Sequence, residues 1–225
     1  MVALLEATFF RVGNEEYARL NRSFGLSTLR DRHAHVTGST IRFRFRGKGG
    51  RIEERAVVDR RMAGIVRRCQ ELPGQLLFQY VDGDGGLHAV ASEDVNDYLR
   101  EAAGAEDVSA KDLRTWAATL IAFRAMRASV EDPDATEHGD RPPGAVTRAA
   151  LAATAEAIGD TVAVTRRSYV HPAVLEMTAD DARASRTDSA PTAALPTRAE
   201  ELAALRLLSA EPNRRRTRRR SRPRT

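Results

Sequence analysis

Between Thr40 and Val58 the chain carries a pattern that a strand satisfies and a helix does not. Thr40-Ile41-Arg42-Phe43-Arg44-Phe45-Arg46 alternates strictly, with Ile41, Phe43 and Phe45 on one face and Arg42, Arg44 and Arg46 on the other. A period of two belongs to a strand with one buried face; on a helix the same residues would scatter around the axis. Gly47-Lys48-Gly49-Gly50 follows as a turn, and Ile52 to Val58 reads as the next strand. With Thr28 to Val36 in front, the pattern predicts three antiparallel strands. Lys48 then sits at the tip of a glycine-rich hairpin, where a long cation can reach into a groove.

Around this sheet the pattern is helical. Ala3 to Phe24 repeats apolar residues at helical spacing, broken at Arg11-Val12-Gly13-Asn14, where Asn14 can cap the following helix. Further helices are predicted over Arg60 to Leu72, from a Ser92 cap to Ala103, from a Ser109 cap to about Arg127, over Thr147 to Ile158, and over Thr161 to Tyr169. A short hairpin is expected from Phe78 to Val90 and an acidic loop from Glu131 to Pro143. The fold class is therefore α+β: a mainly helical domain with a small three-stranded antiparallel sheet near the N-terminus. One domain is expected over residues 1–176, and a weakly ordered segment over 177–210 with a short helix from Arg198 to Leu208. An arginine-rich tail over 211–225 is expected to be disordered.

Charge is segregated. Residues 1–70 carry a net charge of +8, residues 71–210 a net of −10, and residues 211–225 a net of +7. The first and last segments are the candidate contacts for a polyanion. Of 36 basic residues only Lys48 and Lys111 are lysines. Arginine stays charged and forks onto phosphate oxygens, whereas lysine can give up a proton, so these two are the candidates for proton chemistry, with chance as the alternative. The single cysteine, Cys69, permits no internal disulfide and fits a reducing, cytoplasmic compartment. No apolar run approaches the 18 or so residues of a membrane span. His33 and His35, two apart on a predicted strand, share a face and could in principle bind a metal, but with no cysteine nearby they are read as structural or as facing the polyanion. His171 is read as structural.

The scarcest chemistry lies in Arg166-Arg167-Ser168-Tyr169-Val170-His171-Pro172. A phenol with a pKa of about 10 is a poor nucleophile near neutrality, but fixed cations and a bound anion can activate it. Taken alone, Tyr169 reads as a half-buried tyrosine at a helix end. Taken with Arg11 at a helical break, Lys48 on a hairpin tip and Arg114 in Lys111-Asp112-Leu113-Arg114-Thr115-Trp116, it completes a set. Phosphoryl transfer to a protein nucleophile needs fixed positive charge on the non-bridging oxygens, a nucleophile in line, and an acid for the departing oxygen.

Four stretches carry a family resemblance in matching order and spacing: Phe10-Arg11-Val12-Gly13-Asn14-Glu15-Glu16-Tyr17, Arg46-Gly47-Lys48-Gly49, Lys111-Asp112-Leu113-Arg114-Thr115-Trp116, and Arg167-Ser168-Tyr169-Val170-His171-Pro172. Together they closely resemble the catalytic domain of bacterial and poxvirus-type DNA topoisomerase IB, from about Leu4 to Pro172. The resemblance implies that Tyr169 attacks a DNA phosphodiester to give a 3′-phosphotyrosyl link and a free 5′-hydroxyl. It implies that Arg11 and Arg114 hold the non-bridging oxygens, that Lys48 protonates the leaving oxygen, and that Lys111 is tied to the same proton transfer. Tyr17, Arg46, Arg166 and Arg167 fall at DNA-contact positions or beside the nucleophile. Double-stranded DNA at the nucleoid is the implied partner of a monomeric enzyme, with no cofactor, ATP or metal.

Two departures stand out. Family members carry an N-terminal clamp domain, and this chain starts directly at the catalytic part, so three expectations stay open: a truncated start, a separate clamp domain, or a protein that works without the clamp. The family also carries histidine or asparagine nine residues before the tyrosine, where this chain has Asp160, an acceptor only when ionised. Two other readings stay open: a tyrosine recombinase that exchanges strands with a similar residue set, and a DNA-binding fragment whose chemistry has weakened. Asp160→Asn is expected to speed strand cleavage, read as covalent adduct formed per unit time; an unchanged rate would dispose of the assignment.

Overall fold

A computed structural model describes residues 1–131, 144–185 and 196–220. The acidic loop expected between Glu131 and Pro143 lies almost wholly outside the described residues. The chain divides into two compact units, Met1–Arg114 and Thr115–Thr225.

The first unit is built on the sheet. Strands β1 (Ala34–Thr37), β2 (Thr40–Arg46) and β3 (Ile52–Val58) run antiparallel in the order β1-β2-β3. Ile41 and Phe43 are fully buried and Phe45 nearly so, while Arg42, Arg44 and Arg46 are exposed, as the alternation requires. Helices α1 (Val2–Thr8) and α2 (Glu15–Asn21) precede the sheet in the chain and α3 (Arg60–Gln70) follows it, with α3 packed on β1 and β2 and α1 on β3, while no residue of α2 is buried. Phe10 stands edge-on to Phe43 and Phe45, at 5.7 and 4.7 Å between ring centres, so the start of the α1–α2 connection is anchored in the core. Asn14 caps α2, its side chain accepting from the Tyr17 N–H at 3.0 Å. The hairpin β4 (Gln79–Val81) and β5 (Leu87–Ala89) and helix α4 (Ser92–Ala103) complete the unit, together with the first turn of α5 (Ala110–Glu131).

Two local expectations are corrected. The first strand begins at Ala34, because the chain makes short 310 turns at Leu26–Thr28 and Asp31–His33. His33 and His35 therefore do not share a strand face: His33 is buried and His35 is exposed. The His33 ring lies against Phe24, and its Nδ1 accepts from the Arg30 N–H at 3.1 Å. The cap of α4 is Ala91 rather than Ser92, with the Asp94 carboxylate accepting from the Ala91 N–H.

The second unit is helical: the rest of α5, then α6 (Ala145–Ile158), α7 (Val162–Ser168), α8 (Pro172–Leu175), α9 (Ala179–Ala184) and α10 (Arg198–Arg220). Order extends past Met177, where little was expected. Thr178 and Asp181 form a reciprocal capping box that starts α9, a signal present in the sequence. Helix α10 starts at the predicted Arg198 and continues to Arg220, past the predicted Leu208; arginine is a good helix former. Its start is clamped to α5, since buried Glu200 accepts from Arg124 Nε at 2.8 Å and Nη2 at 2.6 Å. Burial pushes the Glu200 carboxyl up, but the Arg124 fork and the Thr197 N–H outweigh it and hold the pKa below its ordinary value. Among the described residues no helix is long and apolar enough to cross a membrane.

The His33 pKa is lowered to about 4, first by burial and then by Arg32 and Arg30. The unfolded chain therefore binds the proton that the folded chain refuses, and the stability due to neutral His33 is present above about pH 6.5 and lost as pH falls toward 4. His33→Asn, which keeps an acceptor for the Arg30 N–H, should flatten the fall in unfolding free energy between those pH values, measured by denaturant titration. An unchanged slope would contradict it.

Candidate active site

In the first unit three of the cations singled out in the sequence open onto one narrow crevice. Arg11, Lys48 and Arg114 line it with Phe9, Phe45, Gly47 and Glu53. Each is brought there by a different element, and each placement has a local cause.

Arg11 comes from the connection between α1 and α2. Helix α1 ends at Phe9 in the left-handed region, at φ 56° and ψ 22°, a costly conformation for a bulky residue. The buried Arg114 guanidinium donates to the Phe9 carbonyl and holds that turn. Two residues on, the Arg11 carbonyl accepts from the Leu26 N–H at 2.9 Å and the Val12 carbonyl from the Ser27 N–H at 2.6 Å. The two segments cross so closely that a Cβ on Gly25 would stand 2.4 Å from the Gly13 Cα, which only glycine permits. The backbone that carries Arg11 is thus fixed from two sides.

Lys48 begins the single turn Lys48–Gly50 between β2 and β3 and is exposed. Just before it, a Cβ on Gly47 would lie 2.7 Å from the Glu53 Cγ, so the bare backbone at Gly47 leaves room for Glu53 beneath the hairpin. Glu53 pairs in register with Phe45 and is buried at 9% exposure. Its Oε1 lies 4.0 Å from Arg11 Nη1.

A larger cavity of about 640 Å³ adjoins the same residues, bordered by Arg11, Tyr17, Phe24, Arg46 and Lys48. Tyr17 is 60% exposed, on a helix none of whose residues is buried. Lys111 is exposed one helical turn before Arg114. A surface of guanidiniums, an exposed ammonium and an exposed phenol is suited to hold a phosphate backbone and to give a proton to one of its oxygens.

The second unit holds the tyrosine. Tyr169 closes α7, its N–H returning to the Thr165 carbonyl at 3.1 Å. The buried Thr119 hydroxyl donates to the Tyr169 carbonyl and accepts from the His171 N–H, both at 3.2 Å, so one side chain pins the backbone on both sides of Val170. Tyr169 itself is half-buried beside a cavity of about 360 Å³ that Trp116, Thr119, Arg167, His171 and Leu208 also line. Arg166 and Arg167 are exposed on the last turn of α7. His171 caps α8, with Nδ1 accepting from the Ala173 N–H at 3.2 Å, which agrees with its reading as structural. Asp160 lies half-buried in the turn before α7, with Oδ1 accepting from the Thr161 N–H at 3.0 Å.

The structure thus gathers Arg11, Lys48 and Arg114 at one crevice, with Tyr17 and Arg46 beside it. It places Tyr169, Asp160, Arg166 and Arg167 on the second unit. Glu53 and Thr119 were not picked out from the sequence. Glu53 had a signal: it shares strand parity with Val57 and so must face inward with it. Thr119 had none, because a threonine inside an apolar helix face announces no backbone partner fifty residues away. Among the described residues, no group of three or more His, Cys, Asp or Glu is arranged to hold a metal.

The family of eukaryotic DNA topoisomerase I catalytic cores matches residues 1–193. The chain is also similar to a protein described as DNA topoisomerase 1B of Acanthamoeba polyphaga mimivirus. The two are 30% identical over 181 residues, which is 79% of this chain and 53% of the viral protein. The chain therefore spans about half the length of that curated relative.

Proposed function

Because the chain belongs to the DNA topoisomerase I catalytic-core family, we propose that it is the catalytic part of a type IB DNA topoisomerase. Its substrate is duplex DNA at the nucleoid, and it works as a monomer on one strand at a time. The observation that carries the proposal is the crevice lined jointly by Arg11, Lys48 and Arg114.

A DNA phosphodiester lies with its non-bridging oxygens on Arg11 and Arg114. The phenolic oxygen of Tyr169 attacks phosphorus as the bond to the 5′-oxygen breaks. Negative charge grows on the non-bridging oxygens, and guanidiniums already fixed in place oppose it without reorganising. Arg114 is well suited, since its bond to the Phe9 carbonyl immobilises it before substrate arrives. Lys48, exposed on a hairpin tip, gives a proton to the departing 5′-oxygen, and Lys111 supports that transfer. The products are a 3′-phosphotyrosyl link and a 5′-hydroxyl. The cut strand swivels about the intact one under superhelical torsion, and the 5′-hydroxyl reverses the attack. The hold of Thr119 on the Tyr169 main-chain carbonyl supports the reading, because a nucleophile mounted on a fixed backbone loses less freedom on reaching the transition state. Tyr17, Arg46, Arg166 and Arg167 supply contacts to flanking phosphates, and Asp160 stands where a donor to the phosphate would help.

The test is a nicked suicide duplex from which the downstream strand is lost after cleavage. The chain should form a denaturant-stable protein–DNA adduct that Tyr169→Phe does not form, and it should relax a supercoiled plasmid with no ATP and with divalent ions chelated. Strand exchange between two defined sites would favour the recombinase reading, and noncovalent binding with no adduct would leave only a binding module.

A further inference from the structure

We propose that Glu53 is a positioning residue: its buried carboxylate holds the Arg11 guanidinium on the crevice. The inference rests on reading that crevice as the phosphate site. A carboxylate is an unfavourable group to place near the contact with a polyanion, because it repels the phosphate and is costly to bury. Glu53 is nevertheless on the inward face of β3, opposite Phe45, and only 9% exposed. The next residue shows the contrast. Glu54 points outward and meets Arg44 at 3.5 Å with both side chains about 70% exposed, a pairing worth little in water. In the Arg11–Glu53 pair the side chains are only 25% and 11% exposed, so the attraction across 4.0 Å is far less screened.

The backbone is arranged to admit this carboxylate. Any side chain at Gly47 would collide with the Glu53 Cγ, so the hairpin that presents Lys48 is also the lid over Glu53. Arg11, Lys48 and Arg114 would repel one another without an anion among them, and a free arginine side chain explores many rotamers. A carboxylate mounted on a sheet offers one edge of the Arg11 guanidinium a fixed partner and so sets the direction that the guanidinium faces. Glu53 would thereby set where Arg11 waits before a phosphate arrives.

A double-mutant cycle of Arg11 and Glu53, read in two assays, tests this. Affinity for a short duplex is measured in the Tyr169→Phe background, where no bond can form, and adduct formation is timed in the Tyr169 chain. Arg11→Ala should weaken binding about tenfold when Glu53 is present and less than about threefold in Glu53→Gln, as coupled neighbours do. Glu53→Gln and Glu53→Asp should both slow adduct formation about tenfold, since aspartate keeps the charge but falls one methylene short of Arg11. Thermal melting of each variant checks that the fold is kept. Independent, additive effects on binding would overturn the inference, as would an Arg11→Ala chain that binds like its parent or a Glu53→Asp chain that cleaves at the parent rate. Should Glu53→Gln not fold, Glu53→Asp takes its place in the cycle under the same criteria. If the parent chain forms no adduct at all, the topoisomerase reading fails, and the binding cycle by itself still decides for or against Glu53.

Discussion

Positive charge held at short range in a protein is self-repelling, and the first unit of this chain is organised around managing it. Arg11, Lys48 and Arg114 reach one crevice from a loop, a hairpin tip and a helix. None of these elements would keep its place by local propensity alone. The Phe10 ring locks the loop into the sheet core, the Gly13–Gly25 crossing fixes its backbone, and Arg114 ties down the strained Phe9 turn. Glu53 supplies the nearby negative charge from the inward face of the sheet. Preorganisation of this kind is what electrostatic catalysis requires, because charges that must move into place during the reaction contribute less.

The second unit solves a different problem with the same economy of parts. A phenol at the end of a short helix would fray with that helix. Thr119, on the long helix α5, takes the Tyr169 carbonyl and the His171 N–H together, and Pro172 starts the next helix at once. The fork of Arg124 on buried Glu200 then secures the start of α10, whose Leu208 reaches the cavity beside Tyr169. The proposed reactive group at each tip, Lys48 or Tyr169, is exposed or half-buried, while Gly47 and Glu53 beneath the hairpin and Thr119 behind the tyrosine are buried. That division leaves the tip free to meet a ligand and its base rigid.

Much of this is legible in the sequence. Strict alternation from Thr40 to Arg46 gave the central strand to the residue, because a period of two has no other cheap explanation. The family motifs named Arg11, Lys48 and Arg114, and the structure places all three at one crevice. What was not legible depended on through-space partners. His33 looked like a strand residue until two short turns put it in the core, and the 310 geometry has no strong sequence signal. Segment 177–185 was underestimated because its small residues hid a capping box at Thr178 and Asp181. Glu53 was overlooked because an acid in a strand is first read as solvent-facing, although its parity with Val57 said otherwise.

On the proposed reading the crevice is a phosphate site, and Lys48 delivers the proton to the departing oxygen. Single-turnover adduct formation on a duplex carrying sulfur in place of the 5′-bridging oxygen at the cleaved linkage tests it most directly, since a thiolate leaves without being protonated. Lys48→Ala should be slowed by about a hundredfold or more on the oxygen substrate and recover to within about tenfold of the parent on the sulfur substrate, with Arg11→Ala remaining slow on both. A Lys48→Ala chain equally slow on both substrates, or as fast as its parent on oxygen, would rule out Lys48 as the proton donor.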